Sequence, residues 1–106
     1  MGQHSGLDYS GKVVLVTGGT KGIGAGIARG FLAANARVIV CGRSTPETLP
    51  SVGEAHAAFM ACDVRDQDSL KALFETIRAE YGRIDVLINN AGGSPATDAA
   101  SASPRF

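Results

Sequence analysis

Residues 17–24, TGGTKGIG, are a glycine-rich stretch between an apolar run and a segment with helical periodicity. A glycine-rich turn from a buried strand into a helix gathers backbone N–H groups and the positive end of the helix at one point, and such a point binds anions such as phosphate. The alternative is a tight turn that needs glycine only for its backbone angles. Gly18, Gly22 and Gly24 exceed what such a turn requires, so the pattern favours a phosphate site.

Two familiar phosphate motifs do not fit this stretch. The Walker pattern G-x-x-x-x-G-K-[ST] would place Lys and then Ser or Thr after Gly24, where Ala25 and Gly26 stand. The dinucleotide pattern G-x-G-x-x-G would place its last glycine at Ile27. The stretch instead reads G-x-x-x-G-x-G from residue 18, with Lys21 inside the loop. The sequence therefore disfavours a nucleotide triphosphatase.

The elements that would position this turn follow from the hydrophobic pattern. Short apolar runs predict strands at residues 12–17, 36–41, 55–63 and 84–89, and apolar residues at helical spacing predict helices at residues 22–34 and 67–81. Residues 42–54 contain two prolines and two glycines and predict a loop. The order of these elements predicts an α/β fold with a parallel sheet and crossover connections.

Both predicted helices carry signals at their ends. Asp66 or Asp68 is predicted to cap the second helix and Gly82 to close it, while Asn35 is predicted to end the first helix in the left-handed conformation. The apolar stripe of the first helix is predicted to contain Ile23, Ile27, Ala28, Phe31 and Leu32.

The bulk composition excludes several classes of function. The 106 residues carry 10 basic and 10 acidic side chains, so no charged surface for nucleic acid is indicated. Cys41 and Cys62 lie in apolar runs and lack the spacing of a metal site, which predicts buried reduced thiols. No apolar run approaches the roughly 20 residues that span a membrane, and residues 1–10 lack a secretory signal. We therefore expect a flexible leader over residues 1–10, no membrane partner and a cytoplasmic location.

Three motifs resemble, in order, those of the short-chain dehydrogenase/reductase (SDR) family. The TGGTKGIG stretch resembles the family's cofactor loop. The CDV stretch at residues 62–64 resembles the Asp-Val after the third strand, and NNAG at residues 89–92 resembles the signature at the end of the fourth strand. By themselves, Asp63, Asn89 and Asn90 could be turn formers only. Each motif follows a predicted strand, at the edge where parallel sheets bind ligands.

This resemblance implies a Rossmann-like, doubly wound parallel sheet that is incomplete, with about four strands and two main helices. Residues 11–92 would form its dinucleotide-binding half. In the family, the Asp contacts the adenine, and the second Asn and the Ala-Gly lie along the cofactor ribose. The implied cofactor-binding residues are Gly18, Thr20, Lys21, Gly22, Ile23, Gly24, Arg43, Ser44, Asp63, Val64, Asn90, Ala91 and Gly92.

The residues after the second strand bear on the choice between NAD and NADP. An NAD site usually carries an acidic residue about 20 positions beyond the glycine loop, which binds the ribose hydroxyls. No Asp or Glu occurs between Leu32 and Thr45, and Arg43 stands there instead. Arg43 and Lys21 can flank a 2′-phosphate, because a planar guanidinium suits phosphate geometry. A solvated loop charge is the alternative for Arg43, but we predict NADP(H) over NAD(H).

The family's proton-transfer residues have no match in this sequence. The family uses a Ser and a Y-x-x-x-K pair, but Tyr9 and Tyr81 are followed four positions later by Val13 and Asp85. Residues 93–106 are typical of a loop that leads into a truncated helix. We therefore expect no catalytic residue in this chain and no activity from the chain alone.

The resemblance implies an NADP(H)-dependent oxidoreductase, present here as its cofactor-binding portion. Hydride would pass between the nicotinamide and a small-molecule carbonyl or secondary alcohol, which only a complete enzyme would bind. A homo-oligomer is the expectation for a full-length family member. The alternatives are a non-catalytic NADP-binding fragment and a truncated inactive product.

Overall fold

The computed structural model describes residues 8–90. The predictions for residues 1–7 of the leader, for Ala91 and Gly92, and for residues 93–106 lie outside this range. The described elements, in chain order, are β1 (Val13–Thr17), α1 (Gly22–Ala33), β2 (Arg37–Gly42), β3 (Ser51–Val52), β4 (Ala55–His56), β5 (Ala58–Ala61), α2 (Gln67–Tyr81) and β6 (Val86–Asn89).

Four of the strands form one parallel sheet in the order β5-β2-β1-β6. β1 lies in the interior, where Leu15 is in register with Ile39 of β2 and with Leu87 of β6. All five residues of β1 are buried, which is why its sequence is apolar on both faces. The four-stranded parallel sheet with two helices confirms the predicted incomplete α/β architecture.

The two helices cover opposite faces of the sheet, since alternate residues of β1 belong to different core clusters. Val14 and Val16 pack in the cluster that contains Ala28 and Leu32 of α1. On the other face, Val13 and Leu15 belong to the cluster that contains Leu73 and Ile77 of α2. Strand residues alternate between faces, so a strand that is apolar throughout supports a helix on each side.

The predicted helix ends are confirmed. Asn35 has φ 75° after α1, and Gly82 has φ 85° after α2. Of the two candidate caps of α2, Asp66 is the cap, because its side chain accepts a hydrogen bond of 2.9 Å from the backbone N–H of Asp68. The helix bounds agree with the prediction to within one residue.

The predicted strand over residues 55–63 is confirmed for Ala58–Ala61, but its predicted ends are wrong. Only Ala58–Ala61 joins the parallel sheet, while Ala55–His56 pairs with Ser51–Val52 in an antiparallel hairpin. Gly53 makes the tight turn possible with φ 60°. The predicted loop over residues 42–54 therefore contains the first strand of this hairpin. The apolar residues of the segment follow one another almost without interruption, so the sequence could not distinguish one continuous strand from two short ones.

The prediction that Ile23 belongs to the apolar stripe of α1 is also wrong, because its side chain is 77% exposed. The buried residues of α1 are Gly24, Ala25, Ala28 and Leu32. Ile27 and Phe31 are half-buried at the margin of the cluster. The face of α1 that packs on the sheet therefore consists mostly of small residues, which let the helix approach closely. This face is rotated about the helix axis away from Ile23.

Two further predictions concern the cysteines and the membrane. Cys41 and Cys62 are both buried and are not joined in a disulfide, as predicted. Within residues 8–90, neither helix is long and apolar enough to cross a membrane.

At the amino ends of the strands, the carboxylate of Asp85 joins the segment before β6 to the start of β1. The Asp85 side chain is 18% exposed. Its Oδ2 accepts a hydrogen bond of 2.8 Å from the backbone N–H of Val13, at the start of β1. Arg83 donates to the same carboxylate from Nη2 at 2.8 Å and from Nε at 2.9 Å. The hydrogen bonds from Arg83, and to a smaller extent the one from Val13, hold the pKa of the Asp85 carboxyl below its usual value.

Replacing Ile77 with Ala should destabilise the chain by about 2–5 kcal/mol, because the side chain is fully buried and its removal leaves a cavity. Ile23→Ala is the matched control, since the same side chain is exposed in α1, and its effect should stay within about 0.5 kcal/mol. Urea unfolding followed by circular dichroism measures both. Equal losses for the two variants would contradict the assigned faces of the helices.

Replacing Asp85 with Asn should reduce stability at neutral pH and flatten the acid side of the stability profile. Because the folded-state pKa of Asp85 is lowered, its contribution is complete above about pH 4 and is lost as the pH falls through the folded-state pKa. Urea unfolding at about pH 7 and about pH 3 measures this difference, with Glu54→Gln in the exposed hairpin as the control. A loss that is the same at both pH values would refute the assignment.

Candidate functional site

The glycine-rich stretch lies at the carboxyl edge of the sheet, between β1 and α1. Gly18 and Gly22 adopt φ values of 67° and 64°, in the left-handed region that glycine occupies at least cost. Lys21, the residue before α1, is extended, and its side chain makes no capping hydrogen bond. The first turn of α1 also contains no acidic residue. The N-terminal N–H groups of α1 therefore meet no carboxylate from their own turn, which suits an anionic ligand.

Two further glycines are required by close packing rather than by backbone angle. A Cβ on Gly24 would collide with the carbonyl oxygen of Gly18 and would lie 2.6 Å from Nδ2 of Asn90. A Cβ on Gly19 would lie 2.6 Å from Cγ1 of Val40. The turn is thus seated between the ends of β2 and β6. Gly19 is not among the residues predicted to bind the cofactor, and the structure shows that its missing Cβ lets the turn pack against Val40 of β2.

The end of β6 is tied to this turn through Thr17 and Asn90. The hydroxyl of Thr17, a residue only 3% exposed, accepts a hydrogen bond of 3.0 Å from the backbone N–H of Asn90. That hydroxyl also lies 3.1 Å from Oδ1 of Asn89. The side-chain amide of Asn90 donates to the carbonyl of Gly18 at 3.3 Å. The structure therefore brings Asn90 to the predicted loop, and it adds Thr17, which sequence reasoning had noted only as the end of a strand.

The residues after β2 present a cation at the same edge. The backbone N–H of Gly18 donates to the carbonyl of Cys41 at 3.1 Å, which joins the glycine turn to β2. Arg43 and Ser44 follow directly and are exposed. Within residues 8–90, Arg43 makes no hydrogen bond or ion pair. Its guanidinium is therefore open to a ligand at this edge.

Asp63 lies where the chain leaves β5. Its carboxylate accepts from the side chain of Arg65, with Nε 3.1 Å from Oδ1 and Nη2 3.2 Å from Oδ2. The backbone N–H of Arg65 also donates to Oδ1 at 3.0 Å. These hydrogen bonds from Arg65 lower the pKa of the Asp63 carboxyl, and the nearby charge of Arg43 acts in the same direction. Asp63 is therefore an anion at neutral pH.

Helix α2 holds the backbone of this segment in place. The backbone N–H of Asp63 donates to Oγ of Ser69 at 3.0 Å. The Ser69 hydroxyl also lies 3.5 Å from Sγ of Cys62, and Val64 packs against the core cluster beside α2. Neither Ser69 nor Arg65 was predicted from the sequence. Arg65 lies two residues after Asp63 and Ser69 lies six residues after it. Both spacings are typical of an Asp-initiated turn that leads into a helix, and this local pattern could have predicted both contacts.

Cys41 is poorly suited to nucleophilic chemistry at this edge. Cys41 is fully buried, and burial raises the pKa of its thiol to about 11, with the neighbouring Cys62 contributing further. A thiol with this pKa stays protonated at neutral pH and is a poor nucleophile. Within the described part of the chain, no group of three or more His, Cys, Asp or Glu side chains could hold a metal ion.

A surface groove of about 320 Å³ lies apart from the glycine turn, between β5 and α2. Its lining residues are Met60, Ala61, Ser69, Ala72, Leu73 and Thr76. None of them belongs to the predicted cofactor set, so the groove is not the candidate site.

Comparison with known proteins gives consistent results. Residues 12–105 match the family described as short chain dehydrogenase. The L-fucose dehydrogenase of Oryctolagus cuniculus is 41% identical over 97 residues, which cover 86% of this chain and 32% of that protein. This chain thus spans about a third of the length of the curated relatives it matches.

Two solved structures share the fold and were determined as complexes with NADP. The Pseudomonas aeruginosa RhlG/NADP active-site complex has a TM-score of 0.76 and 30% identity, covering 93% of this chain and 42% of that one. A metagenomic short-chain oxidoreductase in complex with NADP has a TM-score of 0.70 and 39% identity, covering 83% of this chain and 44% of that one.

Replacing Gly24 with Ala should destabilise the chain by about 1–3 kcal/mol, because the added methyl group must displace the Gly18 carbonyl or the Asn90 amide. Gly30→Ala in the same helix is the matched control. Nothing lies within 4 Å of a Cβ at position 30, so this change should stabilise the chain by about 0.5–1 kcal/mol through helix propensity. Urea unfolding compares the two, and a neutral Gly24→Ala would disprove the close approach.

Proposed function

Because this chain belongs to the short-chain dehydrogenase family, we propose that it is the cofactor-binding portion of an NADP(H)-dependent oxidoreductase. The proposed reaction is hydride transfer between the nicotinamide and a carbonyl or secondary alcohol. The observation that carries the proposal is the glycine turn at the carboxyl edge of a parallel sheet, where the N-terminus of α1 meets no carboxylate of its own. Such an edge is where α/β sheets bind dinucleotides.

The glycine turn is proposed to hold the pyrophosphate. Gly18, Thr20, Gly22, Ile23 and Gly24 surround the start of α1, where backbone N–H groups have no partner further back in the helix. The missing Cβ at position 24 lets the backbone of α1 approach the Gly18 carbonyl, and we propose that this places the N–H groups of the first turn around the pyrophosphate. The exposed side chain of Ile23 then offers an apolar surface to the bound cofactor.

The adenosine is proposed to lie over the ends of β2, β5 and β6. Asp63, an anion held by Arg65, is a hydrogen-bond acceptor suited to the exocyclic amino group of adenine, with Val64 beside it. Asn90 donates its amide N–H to Gly18, and we propose that its amide oxygen accepts from a ribose hydroxyl. Ala91 and Gly92 remain proposed contacts, since they lie outside the described residues.

The preference for NADP is proposed on charge. Arg43 and Ser44 follow β2, Lys21 precedes α1, and no carboxylate stands near Arg43 on its own loop before Glu47. A 2′-phosphate is a strong acceptor for a guanidinium and a hydroxyl, whereas NAD would leave the cation without its partner. The NADP complexes of the two similar structures support this choice by analogy.

The bound dinucleotide would supply hydride chemistry, while residues 8–90 would bind and orient it. The sequence contains no Y-x-x-x-K pair, so we propose that the 106-residue chain alone binds the cofactor without turnover. For the full-length enzyme we propose a cytoplasmic location and a homo-oligomer.

The wild-type chain should bind NADPH more tightly than NADH, and Arg43→Ala should remove most of this preference. Loss of a charge-assisted hydrogen bond to the phosphate should weaken NADPH binding by about tenfold or more and leave NADH nearly unchanged. Titration of the reduced nicotinamide fluorescence measures both dissociation constants. Arg78→Ala, an exposed cation on the last turn of α2, is the control. No preference in the wild type, or an unchanged preference in Arg43→Ala, would reject the NADP proposal.

A further inference from the structure

Two loops that carry opposite charges begin side by side at the carboxyl edge of the sheet. The backbone N–H of Cys62 donates to the carbonyl of Gly42 at 2.8 Å, which extends the pairing of β2 and β5 by one step. Arg43 is the next residue on one loop and Asp63 is the next residue on the other. Their charges are close enough for Arg43 to act on the Asp63 carboxyl. The two residues therefore follow hydrogen-bonded, neighbouring strand ends, and Asp63 is a candidate ion-pair partner for Arg43.

The structure nevertheless pairs Asp63 with a different arginine. Arg65 donates to both carboxylate oxygens from its side chain, and its backbone N–H donates again to Oδ1. The side chain of Arg65 is 71% exposed and that of Asp63 is 36% exposed. A bidentate guanidinium matches a carboxylate better than a single contact does, and the Arg65–Asp63 pair has this geometry. Within the described residues, Arg43 is left with no ion pair.

This choice of partner bears directly on a phosphate that binds beside Arg43. Without the Arg65 side chain, the backbone bond would still hold Oδ1 of Asp63, but Oδ2 would lose its only hydrogen-bond donor among the described residues. The carboxylate would then attract the Arg43 guanidinium and would also repel a phosphate dianion close by. Both effects weaken the hold of Arg43 on a 2′-phosphate, and neither affects a cofactor that lacks one.

We propose that Arg65 is a positioning residue for cofactor selection, which holds the Asp63 carboxylate so that the Arg43 guanidinium stays open to the 2′-phosphate. This inference rests on the proposed NADP function and assigns one part of its specificity to a residue that need not touch the phosphate. We refer to Arg65, Asp63 and Arg43 together as the relay. In it, Arg65 pairs with the Asp63 carboxylate, which would otherwise pair with Arg43.

A double-mutant cycle tests the relay on the full 106-residue chain. Dissociation constants for NADPH and NADH are measured by fluorescence titration for the wild type, Arg65→Ala, Asp63→Asn and the double variant. Arg65→Ala should lower the ratio that favours NADPH by about threefold or more, the size of effect that an exposed ion pair has. With Asn at position 63 there is no carboxylate to capture Arg43, so the same Arg65→Ala change should alter the ratio by less than about 1.5-fold.

Two conservative variants sharpen the test. Arg65→Lys keeps the charge but loses the bidentate contact, so it should retain part of the preference. Arg78→Ala removes an exposed arginine of α2 and should leave the ratio unchanged. Circular dichroism confirms that each variant is folded. Because both cofactors share the adenine, a merely structural effect on the Asp63 turn would weaken them equally and leave the ratio unchanged.

The outcomes separate the inference from the function on which it rests. A wild-type chain without preference for NADPH rejects the proposed NADP function itself. If the wild type has the preference, an equal fall in the ratio with and without Asp63 means that Arg65 acts on the phosphate directly, and this overturns the relay. An unchanged ratio in Arg65→Ala overturns it as well, while the NADP proposal stands.

Discussion

The backbone of α1 lies in contact with the carbonyl of Gly18, and this close approach requires that position 24 carry no Cβ. The contact sets where the first turn of α1 begins and how the chain leaves β1. It also fixes the partner of the Asn90 amide, which donates to the same carbonyl. The start of α1 and the end of β6 therefore both contact the carbonyl of Gly18 in the glycine turn. This contact lies at the carboxyl edge of the sheet, where the ligand is proposed to bind.

The two ends of the sheet use charge in opposite ways. At the amino ends, Asp85 joins β1 to the start of β6 and is paired with Arg83, while Arg37 lies over the ring of Tyr81 with 4.9 Å from Cζ to the ring centroid. The charged groups at this end are thus paired with partners inside the protein, and they contribute to the packing of the fold. At the carboxyl ends, Arg43 has no ion pair within residues 8–90, and the Asp63 carboxylate is paired with Arg65. A cation without an ion pair at that edge is available to an anionic ligand.

Much of the fold and part of the site could be predicted from the sequence. The strands that were predicted correctly are apolar on both faces, and the helix ends at Asn35 and Gly82 depend on local backbone preferences. The hairpin over residues 51–56 was missed although its pairing is local, because strands of only two residues are too short to show an alternating pattern. The exposure of Ile23 was missed because periodicity gives a stripe but not its rotation against the sheet.

The sequence by itself determined the order of elements, the glycine spacing and the absence of a carboxylate after β2, because these depend on residue type and local preference. Only the tertiary structure decided which groups meet. It placed Asn90 beside Thr17 and the glycine turn across more than 70 positions of chain, and it brought the loops that carry Arg43 and Asp63 to the same edge. Those outcomes depend on parallel strand pairing, which brings distant strand ends to one edge, and no local pattern contains that information.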